Sequence, residues 1–430
     1  MKIFNAKNFN YKMAFIPTRT KNSSLSSRVV IACLLMLFIN LSSCSQIRPI
    51  NTQHNFADTG LQTIDTLDVY AEGNTIHALL SGVDKKSQNP ALRYINSLDA
   101  GKTWSLPVTV NRNLAKVKQS KRGNDFQIAA HGDKIMAIWQ TQGGEPWSGI
   151  LSAALSLDKG KTWNKIPSPV DNKYSKINQG YYDITADLYG AFHITWLDDR
   201  EEVGDSQGLR YASFQYLNKD SNWIYHNDLE ATSCTCCWSN ITADKKGNIH
   251  VLFRDDNPRD MMLISSFDAG KSWKNADPVW AFGWNFVGCP HQGGGVATTQ
   301  NNDETILHSV VWNGNESNRG LYYHQSKSNS EDTSPIVSLG DETSASGDIA
   351  VIDNNQIGVV YTTSTTENTL VMAKLSQDGG KSWQKEQRLT DEGAEPVHPR
   401  IVGTTDGFRF FWTEWLENGN AILVMSELKN

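Results

Sequence analysis

The sequence predicts an all-β chain folded as one propeller of seven four-stranded blades, closed by an N-terminal strand. Three observations predict it. An octapeptide of the form S-x-D-x-G-x-[ST]-W occurs four times, beginning at Ser97, Ser156, Ser266 and Ser376. Its aspartates, Asp99, Asp158, Asp268 and Asp378, stand 59, 110 and 110 residues apart, which is a period of about 55 with a degenerate copy inside each long gap. Seven apolar segments of one shape recur at that period, each with an Ile, Leu or Phe at its first or second position and running toward an aromatic or large apolar residue: 75–80, 135–139, 192–196, 249–253, 307–312, 357–361 and 408–412. A unit of this length fits one blade.

The octapeptide explains its own turn. Its Ser and Asp can bond backbone N–H groups of a tight turn, and its Gly supplies a positive φ. The Trp then drops into an apolar seam, so Trp104, Trp163, Trp273 and Trp383 are expected to be largely buried. The motif resembles the Asp box of the sialidase-like (BNR) β-propellers, and the repeat carries that resemblance over most of the chain. Sialidases have six blades. Six is therefore the alternative count, and the seven segments counted here depart from it.

Residues 1–43 read as a leader. Arg28 precedes an apolar run, 29–39, that is short for a bilayer span and suits the core of a signal peptide. The run ends in Leu41-Ser-Ser-Cys44, which resembles a bacterial lipobox. On that reading Cys44 carries the lipid, residues 44–48 form a tether, and 49–430 form the propeller. The chain then sits in a bacterial cell envelope, periplasmic or on the outer surface, meeting the membrane through its anchor only. The polar stretch before Arg28 leaves Met1 and Met13 both open as starts.

Six of the 40 basic residues and none of the 46 acids fall in the leader, so the remainder carries an excess of 12 negative charges. Nucleic acid is excluded as a partner, because phosphate binding needs a positive field. A carbohydrate or small anionic ligand held by a few local arginines stays compatible. Neither linker nor low-complexity run interrupts the repeat, so 49–430 reads as one domain and as a monomer.

Each unit begins with an alternating strand, continues with the apolar segment, and ends its third strand at the Ser of the octapeptide. The last unit stops after its third strand, near Leu428, while residues 49–64 are unassigned at the other end. An N-terminal strand completing blade seven would leave no open edge.

The octapeptide turns lie between third and fourth strands, which puts them on one face. Chemistry belongs to the other face, formed by second-to-third loops and the loops leading into each blade. Four cysteines and a histidine converge there. Cys234, Cys236 and Cys237 lead into blade four, and Cys289 and His291 into blade five. Two readings stay open. One is at least one disulfide, suited to an oxidising compartment, either local between Cys234 and Cys236 or Cys237, or stapling that cluster to Cys289. The other is a thiolate and imidazole site for Zn or Cu, or a redox thiol.

The same face offers ionisable groups. The resemblance to sialidases implies an arginine triad, a Tyr–Glu nucleophile pair and an Asp acid/base, hence a glycoside hydrolase acting on acidic glycans. No family motif fixes these roles in this sequence. By position, Arg122, Arg200, Arg254 and Arg400 are the candidate clamps, Tyr181 or Tyr182 the nucleophile, and Asp125 the acid/base. The alternative is a binding propeller without catalysis, built around the Cys/His cluster.

Overall fold

The computed structural model describes residues 51–53, 56–112, 117–118, 126–143, 148–170, 172–174, 177–203, 206–217, 221–328, 334–391 and 393–428. The leader, Cys44, Arg122 and Asp125 lie outside the described residues. Seven four-stranded antiparallel sheets form seven blades, as the repeat predicts. In six of them four strands follow in chain order. In the seventh, Asn51–Gln53 pairs antiparallel with Ala421–Glu427, so the N-terminal segment closes the ring.

The first strand of each blade is its innermost. These strands, Leu61–Glu72, Phe126–His131, Gln179–Ala186, Asn240–Ala243, Gly294–Asn301, Ala345–Val351 and Glu395–Thr404, stand side by side around the axis, the last against the first. Apolar side chains of neighbouring blades share cores. Leu79 and Leu92 of blade one pack with Phe126 and Trp139 of blade two, and Ile138 of blade two with Tyr182 and Trp196 of blade three. Such burial, roughly 1.5–3 kcal/mol per large apolar side chain, holds blades together with no α-helix among the described residues.

The four octapeptide turns are alike in detail. In the first, the Ser97 hydroxyl donates to Asp99 at 2.8 Å and accepts from the Gly101 N–H at 2.8 Å, while Asp99 accepts from the Thr103 N–H and hydroxyl at 2.8 and 2.7 Å. The same bonds recur around Asp158, Asp268 and Asp378. The glycines take φ between 81° and 87°, and the residue before each is left-handed too, including Ala100, Lys159 and Ala269. Hydrogen bonds from Ser382 hold the Asp378 carboxyl down at about 2.

Each turn docks on the preceding blade. The Trp163 indole meets Tyr94 of blade one edge-on at 5.5 Å, Trp273 meets Tyr211 of blade three at 4.8 Å, and Trp383 meets Tyr323 of blade five at 4.9 Å. A Cβ on Gly160, Gly270 or Gly380 would run into the same tyrosine. Gly101 faces Met425 of blade seven in the same way. Tyr94, Tyr211, Tyr323 and Met425 occupy one register position of their third strands, opposite Leu79, Thr195, Val310 and Phe411. The other three blades put Ala153, Leu263 and Ala373 there, and the blade after each lacks the octapeptide. The four tryptophans are mostly but not fully buried, each indole packed on a ring of the preceding blade, Trp104 on Phe411.

Candidate functional site

The loops leading into blades four and five meet as expected. The thiols of Cys234, Cys236 and Cys237 all lie within 4.8 Å of one another, and so do the ligand atoms of Cys236, Cys289 and His291. Cys236 belongs to both sets. Cys234 Sγ stands 3.0 Å from Cys237 Sγ and 3.7 Å from Cys236 Sγ. All four cysteines are free thiols, so the expected staple to Cys289 is not formed. The close pair is far beyond the about 2.05 Å of a disulfide. Cys234, Cys236 and Cys237 are buried, Cys289 is exposed and His291 half-buried.

Backbone geometry accounts for the meeting. A Cβ on Gly293 would collide with the Trp238 indole, so only glycine lets the blade-five loop lie against the start of blade four. His291 is left-handed at φ 51°, and its Nδ1 lies 3.2 Å from the Cys236 carbonyl. A carbonyl only accepts, so Nδ1 carries the proton and Nε2 keeps its lone pair, the usual setting of a metal-binding imidazole. On the other side, Arg259 Nη1 donates to Cys234 Sγ at 3.0 Å while its Nη2 faces Asp256 at 3.2 Å. Hydrogen bonds from Cys236 and Cys237, and then the Arg259 charge, hold the Cys234 thiol well below the usual range. Burial, and then Cys234, push Cys237 up to about 12. Tyr181 packs on the three buried thiols from a left-handed bulge at φ 55°.

The other sequence-predicted residues are placed differently. The Tyr182 hydroxyl is buried and accepts the Gln140 N–H at 2.8 Å, strapping blade three to blade two. Arg254 is buried with its donors on the carbonyls of Gln292, Arg259 and Trp312 at 3.2, 2.6 and 2.8 Å. It lies beside the cysteines and braces the loops that carry them. Arg200 is bonded to Asp198 and Asp228 and lies over the Tyr174 ring at 4.2 Å. It borders a cavity of about 810 Å³ between blades two and three, lined also by Lys165, Lys173 and Trp223. Arg400 is on the axis. Arg200, Arg254 and Arg400, which stand on blades three, four and seven, thus each have their own partners.

The axis holds a set of which the sequence singled out only Arg400 as a site residue. At one register position of the seven inner strands stand Asp68, Gln127, Asp183, Asn240, Gly295, Asp348 and Arg400. Six of them line a central cavity of about 360 Å³. Asp68 accepts the Ile128 N–H at 2.8 Å, Asp183 the Ile241 N–H at 2.8 Å and Asp348 the Ile401 N–H at 3.0 Å, so each carboxylate straps its blade to the next. Arg400 Nε lies 3.9 Å from Asp68. Burial pushes Asp68 up to about 8 and Asp183 to about 6, and raises Asp348 as well. The signal was present: a polar residue followed by Ile or Val stands in the inner strand of every blade but the fifth. Arg259 was also missed, because nothing in its loop marks which way it turns.

No family model matches the chain, and no curated protein matches it. Among solved structures, an ulvan lyase described as a new family of polysaccharide lyase superposes with a TM-score of 0.56 at 11% identity, covering 88% of this chain and 96% of that one. A Hadza microbial sialidase gives 0.47 at 14%, covering 71% of this chain and 64% of that one. A Trypanosoma rangeli sialidase mutant displaying trans-sialidase activity gives 0.46 at 14%, covering 74% and 54%. The lyase likeness bears out the propeller fold and nothing finer.

Proposed function

We propose that this chain is a soft-metal-binding propeller of the bacterial cell envelope, anchored through lipid at Cys44, with Cys234, Cys236, Cys237, Cys289 and His291 as ligands for Zn or Cu(I). The observation that carries the proposal is the Cys236 thiol, which lies within 4.8 Å of two thiols on its buried side and of a thiol and an imidazole on its outer side. Five soft donors from two blades, with a positioned imidazole tautomer, form a donor set selective for such ions. The test is metal analysis and a free-thiol count on the purified chain, with and without Cys236→Ser. Bound or readily acquired Zn or Cu, lost in the variant, is expected. A wild-type chain that takes up neither ion, or whose cysteines are oxidised in pairs, overturns the proposal.

A second reading is a glycan-active or glycan-binding propeller. It is supported by the cavity between blades two and three, where Lys165, Lys173 and Arg200 gather on an otherwise acidic chain. An acidic oligosaccharide is the ligand that such a cavity would take. Arg254 and Tyr182 speak for the metal reading over a sialidase-type site, since their polar atoms are committed to backbone groups. Binding of an acidic oligosaccharide that is weakened by Lys173→Ala, with metal content unchanged, would support this second reading.

A further inference from the structure

Resting on the soft-metal reading, we infer that the cluster holds two ions, both Cu(I), bridged by the Cys236 thiolate. The donors form two sets of three that share one member. Cys234, Cys236 and Cys237 give a buried all-sulfur set, and Cys236, Cys289 and His291 give an outer set of two sulfurs and a nitrogen. Among the described residues, no four of these five donors are mutually within 4.8 Å. A single tetrahedral Zn(II) site needs four donors about 3.8 Å apart, from bonds of about 2.3 Å. The arrangement is therefore not a preformed Zn site lacking only its ion. It is two adjoining three-donor sites, and three soft donors in a plane suit univalent copper.

Thiolate sulfur has lone pairs enough for two metals, and only Cys236 is positioned to use them so. The 3.7 Å between Cys234 and Cys236 is close to the sulfur–sulfur separation of a trigonal site, about 4 Å from the same bond length. The 3.0 Å between Cys234 and Cys237 is a thiol–thiol contact that an ion would open by about 1 Å. Charge fits as well. Four thiolates and two univalent ions leave two negative charges, facing the guanidinium of Arg259 on Cys234 and that of Arg254 behind Cys237. Each thiol that still carries its proton releases it to solvent on loading, and no electron is transferred.

The burial gradient gives the two positions different access. Cys289 is exposed and His291 half-buried, so the outer ion exchanges with solution, whereas the inner one sits among buried thiols. The test uses the full chain, reduced, stripped by chelator and titrated anaerobically with Cu(I) against a chromophoric competitor. Two equivalents are expected for the wild type and one for Cys289→Ala, with a metal–metal vector in X-ray absorption of the doubly loaded protein only. Cys289 is exposed, so its replacement leaves the fold intact, and circular dichroism checks this. One equivalent in the wild type overturns the pair while leaving the metal reading standing. No Cu(I) uptake overturns the pair, and a parallel titration in which Zn is not taken up either removes the metal reading as well. Two equivalents without a metal–metal vector overturn the bridge.

Discussion

The indole of Trp273 stands edge-on to the ring of Tyr211, 4.8 Å between centroids at 70°, and the two residues belong to different blades. The Tyr211 hydroxyl is in turn fixed by His193 Nδ1 at 2.6 Å. Trp273→Ala removes this docking surface. A loss of about 2–3 kcal/mol is expected, below the range of a fully buried tryptophan because the residue is not fully buried. Denaturant unfolding measures it, and an unchanged midpoint would show that the contact carries no stability.

Gly270→Ala tests the same seam from the other side. The added Cβ meets the Tyr211 hydroxyl at a φ of +85°, so strain and collision add. Destabilisation of at least about 2 kcal/mol is expected. In a Tyr211→Ala background the collision disappears, so the double mutant should be more stable than the two single losses summed. Strict additivity would place the two residues out of contact.

The axial carboxylates predict a pH effect. Asp68 has a folded value of about 8 and Asp183 of about 6, both raised from the usual carboxylate range. A raised carboxylate favours folding fully below its unfolded value, about 3.9, and that contribution is lost as pH climbs through the folded value. Stability should therefore fall between about pH 4 and 8. Asp68→Asn keeps an oxygen for the Ile128 N–H and faces Arg400, Asp183, Asp348 and Gln127 without charge, so it should flatten that decline. A melting temperature equally pH-dependent in the variant would assign the effect elsewhere.

Thiol reactivity should split by burial. Cys289 is exposed and the other three described cysteines are buried, so a disulfide reagent should label one thiol quickly in the metal-free native protein and three more only on unfolding. Four equally fast thiols would contradict the burial of the inner set.

Turnover of a fluorogenic sialoside should be absent. Arg254 is spent on three carbonyls and the Tyr182 hydroxyl on a backbone N–H. Measurable hydrolysis, abolished by Tyr181→Phe, would restore an enzymatic reading of this face.

Much of this was legible in the sequence, and for identifiable reasons. The blade count could be read because the apolar segments keep one period, and the closure by Asn51–Gln53 because the last unit visibly lacks a strand. The meeting of Cys236 with Cys289 and His291 followed from loops that lead into adjacent blades. What sequence could not give is the direction in which single side chains turn. Arg254 looks like a clamp until Gln292, Arg259 and Trp312 are seen to aim their carbonyls at it. Three thiols at 234, 236 and 237 look like half of a disulfide pattern until they fold onto one another. The tryptophans looked like core residues because their partner, a tyrosine one blade earlier, lies about 70 residues upstream of Trp163 and nothing in the octapeptide names it.

The pairing of each octapeptide with a tyrosine or Met425 one blade earlier makes the seven joints of the ring unequal. Joints seven-to-one, one-to-two, three-to-four and five-to-six are locked by a docked turn, and the remaining three lack that lock and rely on single hydrogen bonds such as Tyr182 to Gln140, Arg254 to Trp312 and Asp348 to Ile401. The cavities of about 810 and 570 Å³ open at two of the unlocked joints, two-to-three and four-to-five, and the cysteines and His291 lie across the latter. Wear on the ring, whether by proteolysis, forced extension or a cut made to permute the chain, should then begin at the joints without a docked turn. The molecule would come apart as locked groups of blades rather than as single ones.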